Sequence, residues 1–219
     1  MMMKHTIGIL ALQGGFASHR AVLESLGQDT VEVRTVDDLS RCDGLVIPGG
    51  ESTVLTKLLM EPRSGPAFGK PWEPGPLFLA IREFAKAKPV MGTCAGLIML
   101  ARPCGDERVV SLDVLPVSVE RNAYGRQTES FIEPVDLSLP GTKKGAAAPD
   151  DNGGYRATFI RAPKIAEIGE GVEVLARARG KSGEPYPVMV RRGKILGLSF
   201  HPELTPGDAR IHEYFLSLF

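Results

Sequence analysis

The stretch Pro89-Val-Met-Gly-Thr-Cys-Ala-Gly-Leu-Ile-Met-Leu100 constrains this chain more tightly than any other. A short apolar run enters Gly-x-Cys-x-Gly and leaves as a second apolar run, which is the pattern of a strand, a sharp turn and a helix, with sulfur at the apex. Gly92 and Gly96 allow the backbone to turn and the helix to lie close to the strand. The turn pushes the Cys94 side chain outward, and the helix N-terminus behind it offers free N–H groups and partial positive charge to an anion. A free cysteine is otherwise commonly a small buried hydrophobe. Cys42 and Cys104 have neither the flanking glycines nor the strand-to-helix switch and read that way.

Around this elbow the first half of the chain alternates between strand-like and helix-like segments. Residues 7–12 and 44–48 form short apolar runs typical of buried strands, and Val31 and Val33 alternate with charged residues as in a half-exposed strand. Helical spacing predicts helices over 16–26, 52–60, 77–86 and 95–101, the first stopped by Gly27. The second half is mostly strand-like, over 112–120, 128–135, 155–161, 172–179, 187–192 and 195–200. Thr205-Pro-x-Asp208 then resembles a helix start, with Ile211, Phe215 and Leu218 on one face. The fold class expected is α/β: a flavodoxin-like three-layer sandwich whose central sheet is mostly parallel, with antiparallel strands in the second half. A length of 219 residues suits a single domain over 1–219. Residues 61–76, with five prolines and three glycines, and residues 140–154, rich in Gly, Ala and Asp, read as surface insertions.

Composition narrows the function classes. Lys and Arg total 26 against 26 Asp and Glu, which removes the usual electrostatic case for nucleic acid or an acidic membrane surface. The apolar stretch 89–101 is shorter than the roughly 18 residues of a membrane span, and the N-terminus lacks the small-residue cleavage site of a signal peptide. Three cysteines with no C-x-x-C pair suggest neither a disulfide framework nor a metal site, so a reducing cytoplasm is expected.

A thiol nucleophile acting on an amide needs a base, and the base needs a group to orient it. Of the four histidines, His5, His19 and His212 read as surface or packing residues. His201 follows the apolar run 195–200 and emerges at a strand's C-terminal end, where open α/β sheets place their sites. Glu203, two residues on, shares a face with it in an extended segment and is suited to hold the ring. Pro48-Gly-Gly-Glu-Ser-Thr53 lies between a strand and a helix, so the amides of Gly50 and Ala95 are candidates for an oxyanion hole. A phosphate loop is the rival reading, but no Gly-Lys-Ser/Thr follows. A plain turn with Ser52 as helix cap is another.

Taken together these segments resemble class I (triad-type) glutamine amidotransferases and, within them, the glutaminase subunits of pyridoxal 5′-phosphate synthase. The resemblance rests on Ala11-Leu-Gln-Gly14, Pro48-Gly-Gly-Glu-Ser-Thr53, Gly92-Thr-Cys-Ala-Gly96, Arg121-Asn-Ala-Tyr-Gly-Arg-Gln127, Phe159-Ile-Arg-Ala-Pro163 and Ser199-Phe-His-Pro-Glu-Leu-Thr205, in that order along nearly the whole chain. It implies hydrolysis of L-glutamine to glutamate and ammonia through a thioester on Cys94, with His201 and Glu203 completing the triad and no cofactor. It also implies a glutamine site lined by Gly50, Glu51, Ser52, Arg121, Ile160 and Arg161, with Gln13 counted among the substrate-binding residues, near the oxyanion region or at a partner contact. Without the resemblance, Arg121 and Arg161 read as surface arginines in strand-end ion pairs. The implied partner is a (β/α)8-barrel synthase subunit in a multimeric hetero-complex, which uses the ammonia to make the vitamin B6 cofactor. Two alternatives stay open on the residues alone: a glutaminase subunit of another biosynthetic pathway, and a non-amidotransferase protein of the same fold with an elbow cysteine.

Overall fold

The computed structural model describes residues 3–62, 72–121, 130–140, 154–180 and 183–219. Residues 63–71 and 141–153, most of the two expected insertions, lie outside them, as do 122–127 of the Arg121–Gln127 segment and 128–129 of the expected 128–135 strand.

The first half runs β1 (Thr6–Leu10), α1 (Phe16–Ser25), β2 (Asp29–Val33), α2 (Val36–Ser40), β3 (Gly44–Ile47) and α3 (Ser52–Leu59). A short antiparallel ribbon follows, β4 (Met60–Pro62) with β5 (Trp72–Pro74), and then α4 (Pro76–Phe84), β6 (Val90–Thr93) and α5 (Ala95–Leu100). The second half contains β7 (Val117–Glu120), β8 (Phe131–Leu137), β9 (Tyr155–Phe159), β10 (Lys164–Ile168), β11 (Glu173–Ala178), β12 (Tyr186–Arg192), β13 (Ile195–Leu198), a 3-10 turn (Pro202–Leu204) and α6 (Arg210–Leu216).

Among the described residues, nine strands form one sheet in the order β2-β1-β3-β6-β13-β12-β11-β8-β9, while β7 and β10 pair separately. The five strands from β2 to β13 are mutually parallel, and every pairing from β13 to β9 is antiparallel. The sheet is therefore divided evenly between the two kinds of pairing, where the sequence suggested a mostly parallel one. β3, β6 and β13 are buried at every position, as expected of parallel strands covered on both faces.

The two-residue period of the strands splits the core into two layers. Leu10, Leu45, Ile47, Val90 and Ile195 face one side and pack with Leu39, Leu55, Leu59, Phe78, Ile81 and Leu97 of the helices α2 to α5. Ile7, Ile9, Val46, Met91, Leu196 and Leu198 face the other and pack with Leu23 of α1 and Ile211, Tyr214 and Phe215 of α6. Phe200 and Phe215 are fully buried there, and truncating one such side chain to alanine costs about 3–5 kcal/mol.

Several local expectations are corrected. Only Val117–Glu120 of the expected strand 112–120 is a strand. The amides of Leu112, Val114 and Leu115 instead donate to the carbonyls of Met99 and Leu100, which the end of α5 leaves without intrahelical donors. The helix α2 was not anticipated; Thr35 and Asp38 form a reciprocal capping box at its start. The last helix begins at Arg210 and not near Thr205. Gly207 takes a positive φ of 75°, and buried Asp208 ties the turn to the Arg210 guanidinium at 2.6 Å.

Register brings three loops to one edge of the sheet. Ile47 is opposite Gly92, and Leu198 is opposite Thr93. The chain therefore leaves β3 at Pro48, β6 at Cys94 and β13 at Ser199 on the same level. The turn after β1 joins them, with the Gly15 amide donating to the Gly49 carbonyl at 3.0 Å.

Candidate active site

Cys94 sits at the elbow with φ 51° and ψ −105°, a conformation that a residue with a Cβ adopts only under constraint. Its amide donates to Leu198 O at 2.8 Å, its carbonyl accepts from the Ile98 amide at 3.3 Å, and the helix behind it fits only because of glycine. A Cβ at Gly96 would lie 2.0 Å from Ile47 O, and one at Gly92 would lie 2.6 Å from the Gly96 backbone. The thiol, on a residue only 6% exposed, contacts the Ile160 carbonyl at 3.6 Å.

His201 is anchored by its amide, which donates to Thr158 O at 2.9 Å. Its Nδ1 lies 2.8 Å from Glu203 Oε1, which leaves Nε2 for the sulfur. Nε2 makes no hydrogen bond of ordinary geometry in this arrangement. Burial alone would lower the ring's pKa, but Cys94 and Glu203 outweigh it and push His201 up to about 10, so the imidazolium is favoured. Burial likewise works to raise the Glu203 carboxyl; His19 and His201 overcome that and hold it below its ordinary value. The ring also presses on the Gly49 backbone: a Cβ there would stand 2.3 Å from His201 Cε1.

A cavity of about 520 Å³ opens beside the thiol. Gly50, Glu51, Ser52, Ala95, Arg121, Ile160 and Arg161 border it together with Cys94 and His201. Gly14 and Gly49, from the segments 11–14 and 48–53, border it too, as do Gly15, Ile98 and Ser130, which the sequence had not singled out. Gln13 stands behind the loop and not at the cavity. Its amide nitrogen donates to Glu51 O and its oxygen accepts from the Glu51 amide, both at 3.2 Å, and a Cβ at Gly50 would collide with it at 2.3 Å. Glu51, and not Ser52, caps α3, accepting from the Val54 amide at 2.9 Å.

The two arginines differ. Arg121 pairs with Asp106 and lies 3.5 Å from Glu51, so its charge is largely met within the protein. Arg161, with a φ of 44°, is exposed and has no ion-pair partner among the described residues. Two of the histidines read as surface or packing residues belong to the interior. His19 and His212 are fully buried, and His19 contacts Glu203 from behind. A signal existed for His19, which stands four residues before buried Leu23 on the same face of α1. For His212 only its place beside Ile211 and three residues before Phe215 hinted at the interior. Among the described residues, no group of three or more His, Cys, Asp and Glu is arranged to hold a metal ion, and no helix is long and apolar enough to cross a membrane.

Comparisons with known proteins agree on a family. The model of the SNO glutamine amidotransferase family matches residues 9–219. The pyridoxal 5′-phosphate synthase subunit PdxT of Koribacter versatilis is 46% identical over 212 residues, covering 97% of this chain and 94% of that one. The subunit of the same name from Thermus thermophilus is 45% identical over 217 residues, covering 99% and 98%. A crystal structure of a glutamine amidotransferase superposes with a TM-score of 0.76 at 40% identity, covering 97% of both chains. The structure of PurLQS from Thermotoga maritima, at 15% identity and a TM-score of 0.62 over 99% of both chains, shares the fold. With the elbow, the paired imidazole and carboxylate and the matched length all in agreement, this chain belongs to the SNO glutamine amidotransferase family.

Proposed function

We propose that Cys94, His201 and Glu203 hydrolyse L-glutamine as the glutaminase half of pyridoxal 5′-phosphate synthase, and that the ammonia passes directly to a (β/α)8-barrel synthase subunit. The Cys94 sulfur attacks the side-chain carboxamide carbon. The amides of Gly50 and Ala95 receive the oxyanion, a role in which one donor is worth about 2.7–4 kcal/mol. Collapse of the intermediate breaks the C–N bond, and the His201 imidazolium gives its proton to the leaving ammonia. The neutral ring then takes a proton from water as water attacks the thioester, releasing glutamate and restoring the thiol. Glu203 holds the ring through both steps.

Arg161, with no ion-pair partner among the described residues, is the guanidinium best suited to the substrate α-carboxylate. Glu51, Ser52, Ile160 and Arg121 shape the rest of the site, and Gln13 steadies the Gly50–Glu51 backbone. The residues that meet at the cavity run from Gly14 to His201, so residues 1–219 act as one amidotransferase domain. Direct transfer has a chemical basis: in neutral water ammonia becomes ammonium, which has no lone pair with which to attack a carbonyl. The work belongs in the cytoplasm, where all three thiols stay reduced.

The observation that carries this reading is the 2.8 Å contact of His201 Nδ1 with Glu203 Oε1, on a ring whose pKa is raised by Cys94 at the strained elbow. The test measures glutamate release by the wild type and by Cys94→Ala, each mixed with the synthase barrel. Glutamate is expected from the wild type in the mixture, little from the chain alone, and none from the variant. Release by Cys94→Ala at the wild-type rate removes the assignment.

A further inference from the structure

Glu203 spends only one of its oxygens on His201. The other, Oε2, lies 3.2 Å from His19 Nε2, with side-chain exposures of 1% for Glu203 and 0% for His19. The same ring nitrogen is 3.2 Å from Thr93 Oγ1, the hydroxyl of the residue before Cys94. The other ring nitrogen of His19, Nδ1, lies 3.0 Å from His212 Nε2. Residues from α1, the end of β6, the 3-10 turn and α6 thus form a polar chain inside the protein, ending at the triad carboxylate.

The protons in this chain follow from elimination. Burial outweighs the attraction of Glu203 and keeps His19 neutral; burial and His19 together push His212 down to about 3. Each neutral ring has one N–H. With its proton on Nδ1, His19 would turn the Nε2 lone pair toward a buried carboxylate, an unfavourable contact at low dielectric. With its proton on Nε2, His19 donates toward Thr93 Oγ1 and Oε2, and Nδ1 accepts from His212 Nε2–H. The N–H points more nearly to Thr93, since Oε2, 3.2 Å away, has no aligned hydrogen-bond donor. The one nitrogen left over is His212 Nδ1, which has no hydrogen-bond partner.

We propose that His19 is a positioning residue for the glutaminase reaction: its Nε2–H holds Glu203 against His201, and Thr93 and His212 fix the tautomer in which it does so. The inference rests on the triad assigned above. His201 alternates between imidazolium and imidazole during turnover, and a carboxylate gripped only by that ring would be held less tightly, with more freedom to rotate, whenever the ring is neutral and its Nδ1–H bond loses the help of charge. A second contact from a group that stays neutral throughout removes that freedom.

The test assays glutamate release with the synthase barrel present, over a range of pH, for the wild type, Cys94→Ala, His19→Leu and His19→Gln. His19→Leu is expected to lower kcat by about 100-fold with the glutamine KM within about twofold, since the loss falls on the acid–base steps. The acidic limb of its kcat profile moves to higher pH, because Glu203 loses the group that helps keep it ionised. In His19→Gln the amide nitrogen reaches the place of Nε2, and kcat returns to within about tenfold of wild type. Equal losses in the two His19 variants, a loss confined to KM, or a Leu variant with wild-type kcat and acidic limb each overturn the inference. Should His19→Leu not fold, His212→Leu decides: it is expected to lower kcat by about fivefold to tenfold with the same shift of the acidic limb, and an unchanged profile overturns the inference. Wild type without activity, or Cys94→Ala with it, indicts the triad itself, whereas an active wild type, an inactive Cys94→Ala and indifferent His19 variants indict only His19.

Discussion

The imidazole of His201 is held from two sides, and the two are built by different means. Toward the cavity it meets backbone: Gly49 under its Cε1, with Gly50 and Ala95 bordering the same space and Cys94 fixed at a φ of 51°. Away from the cavity it meets side chains: Glu203, then His19, then His212, all withdrawn from water. The cavity side is a matter of shape, in which the absence of a Cβ is the operative feature. The inner side is a matter of proton inventory, in which N–H groups and lone pairs are matched to one another within the buried chain, with His212 Nδ1 left over. An error in shape displaces atoms, whereas an error in proton inventory changes which groups carry charge.

The largest effect comes from removing the ring on which both sides act. His201→Asn should lower kcat for glutamate release by about 10⁴-fold, and combining it with Cys94→Ala should do little further harm, since the two act as a unit. Additive losses in the double variant would mean the sulfur and the ring work independently. Next is the cavity side alone. Gly49→Ala puts a Cβ 2.3 Å from His201 Cε1, and a displacement of about 1 Å in a catalytic group lowers kcat by about 100-fold. Wild-type turnover in that variant would show that the ring does not depend on the Gly49 backbone.

The inner side is read by pH, where two of the three buried histidines, His212 and His201, titrate in opposite directions. His212 falls from 6.5 to about 3 on folding, so its contribution to stability is complete above about 6.5 and declines as the pH drops toward 3. His201 rises from 6.5 to about 10, so its contribution is complete below 6.5 and is lost as the pH climbs through 10. Denaturant melts of His212→Leu should lose up to one proton's worth of slope on the acid side, about 1.4 kcal/mol per pH unit. Its alkaline side should keep the wild-type slope. Identical acid slopes in wild type and variant would mean that His212 is not held neutral. The smallest effect is on the exposed rim of the cavity. Glu51→Ala removes the cap of α3 and should lower unfolding free energy by about 1 kcal/mol, read as a shift in denaturant midpoint.

The cavity side was legible in the sequence, and the inner side was not. Gly92, Cys94 and Gly96, and likewise Gly49 and Gly50, announce their geometry locally because a strand, a glycine turn and a helix follow one another within about ten residues. The buried strands β1, β3, β6 and β13 were visible for a similar reason, as apolar runs too short for helices. By contrast, residues 112–116 have the apolar content of a strand and were read as one, although their amides serve the carbonyls at the end of α5. The even split of the sheet into parallel and antiparallel halves followed from pairings that no single segment encodes. Arg121, which the resemblance put in the glutamine site, borders the cavity and is also paired with Asp106, a residue to which the sequence drew no attention.

What the sequence determined by itself was the elbow, the glycine loop beside it, and an imidazole and a carboxylate two residues apart at a strand end. Each of these is written in neighbouring residues and in backbone freedom, so it survives without knowledge of the rest of the chain. Only the tertiary structure decided that His19 and His212, 193 positions apart, touch in the interior. Their protonation is settled by desolvation and by a carboxylate brought from a third element, and neither influence exists until α1, α6 and the sheet have closed around them.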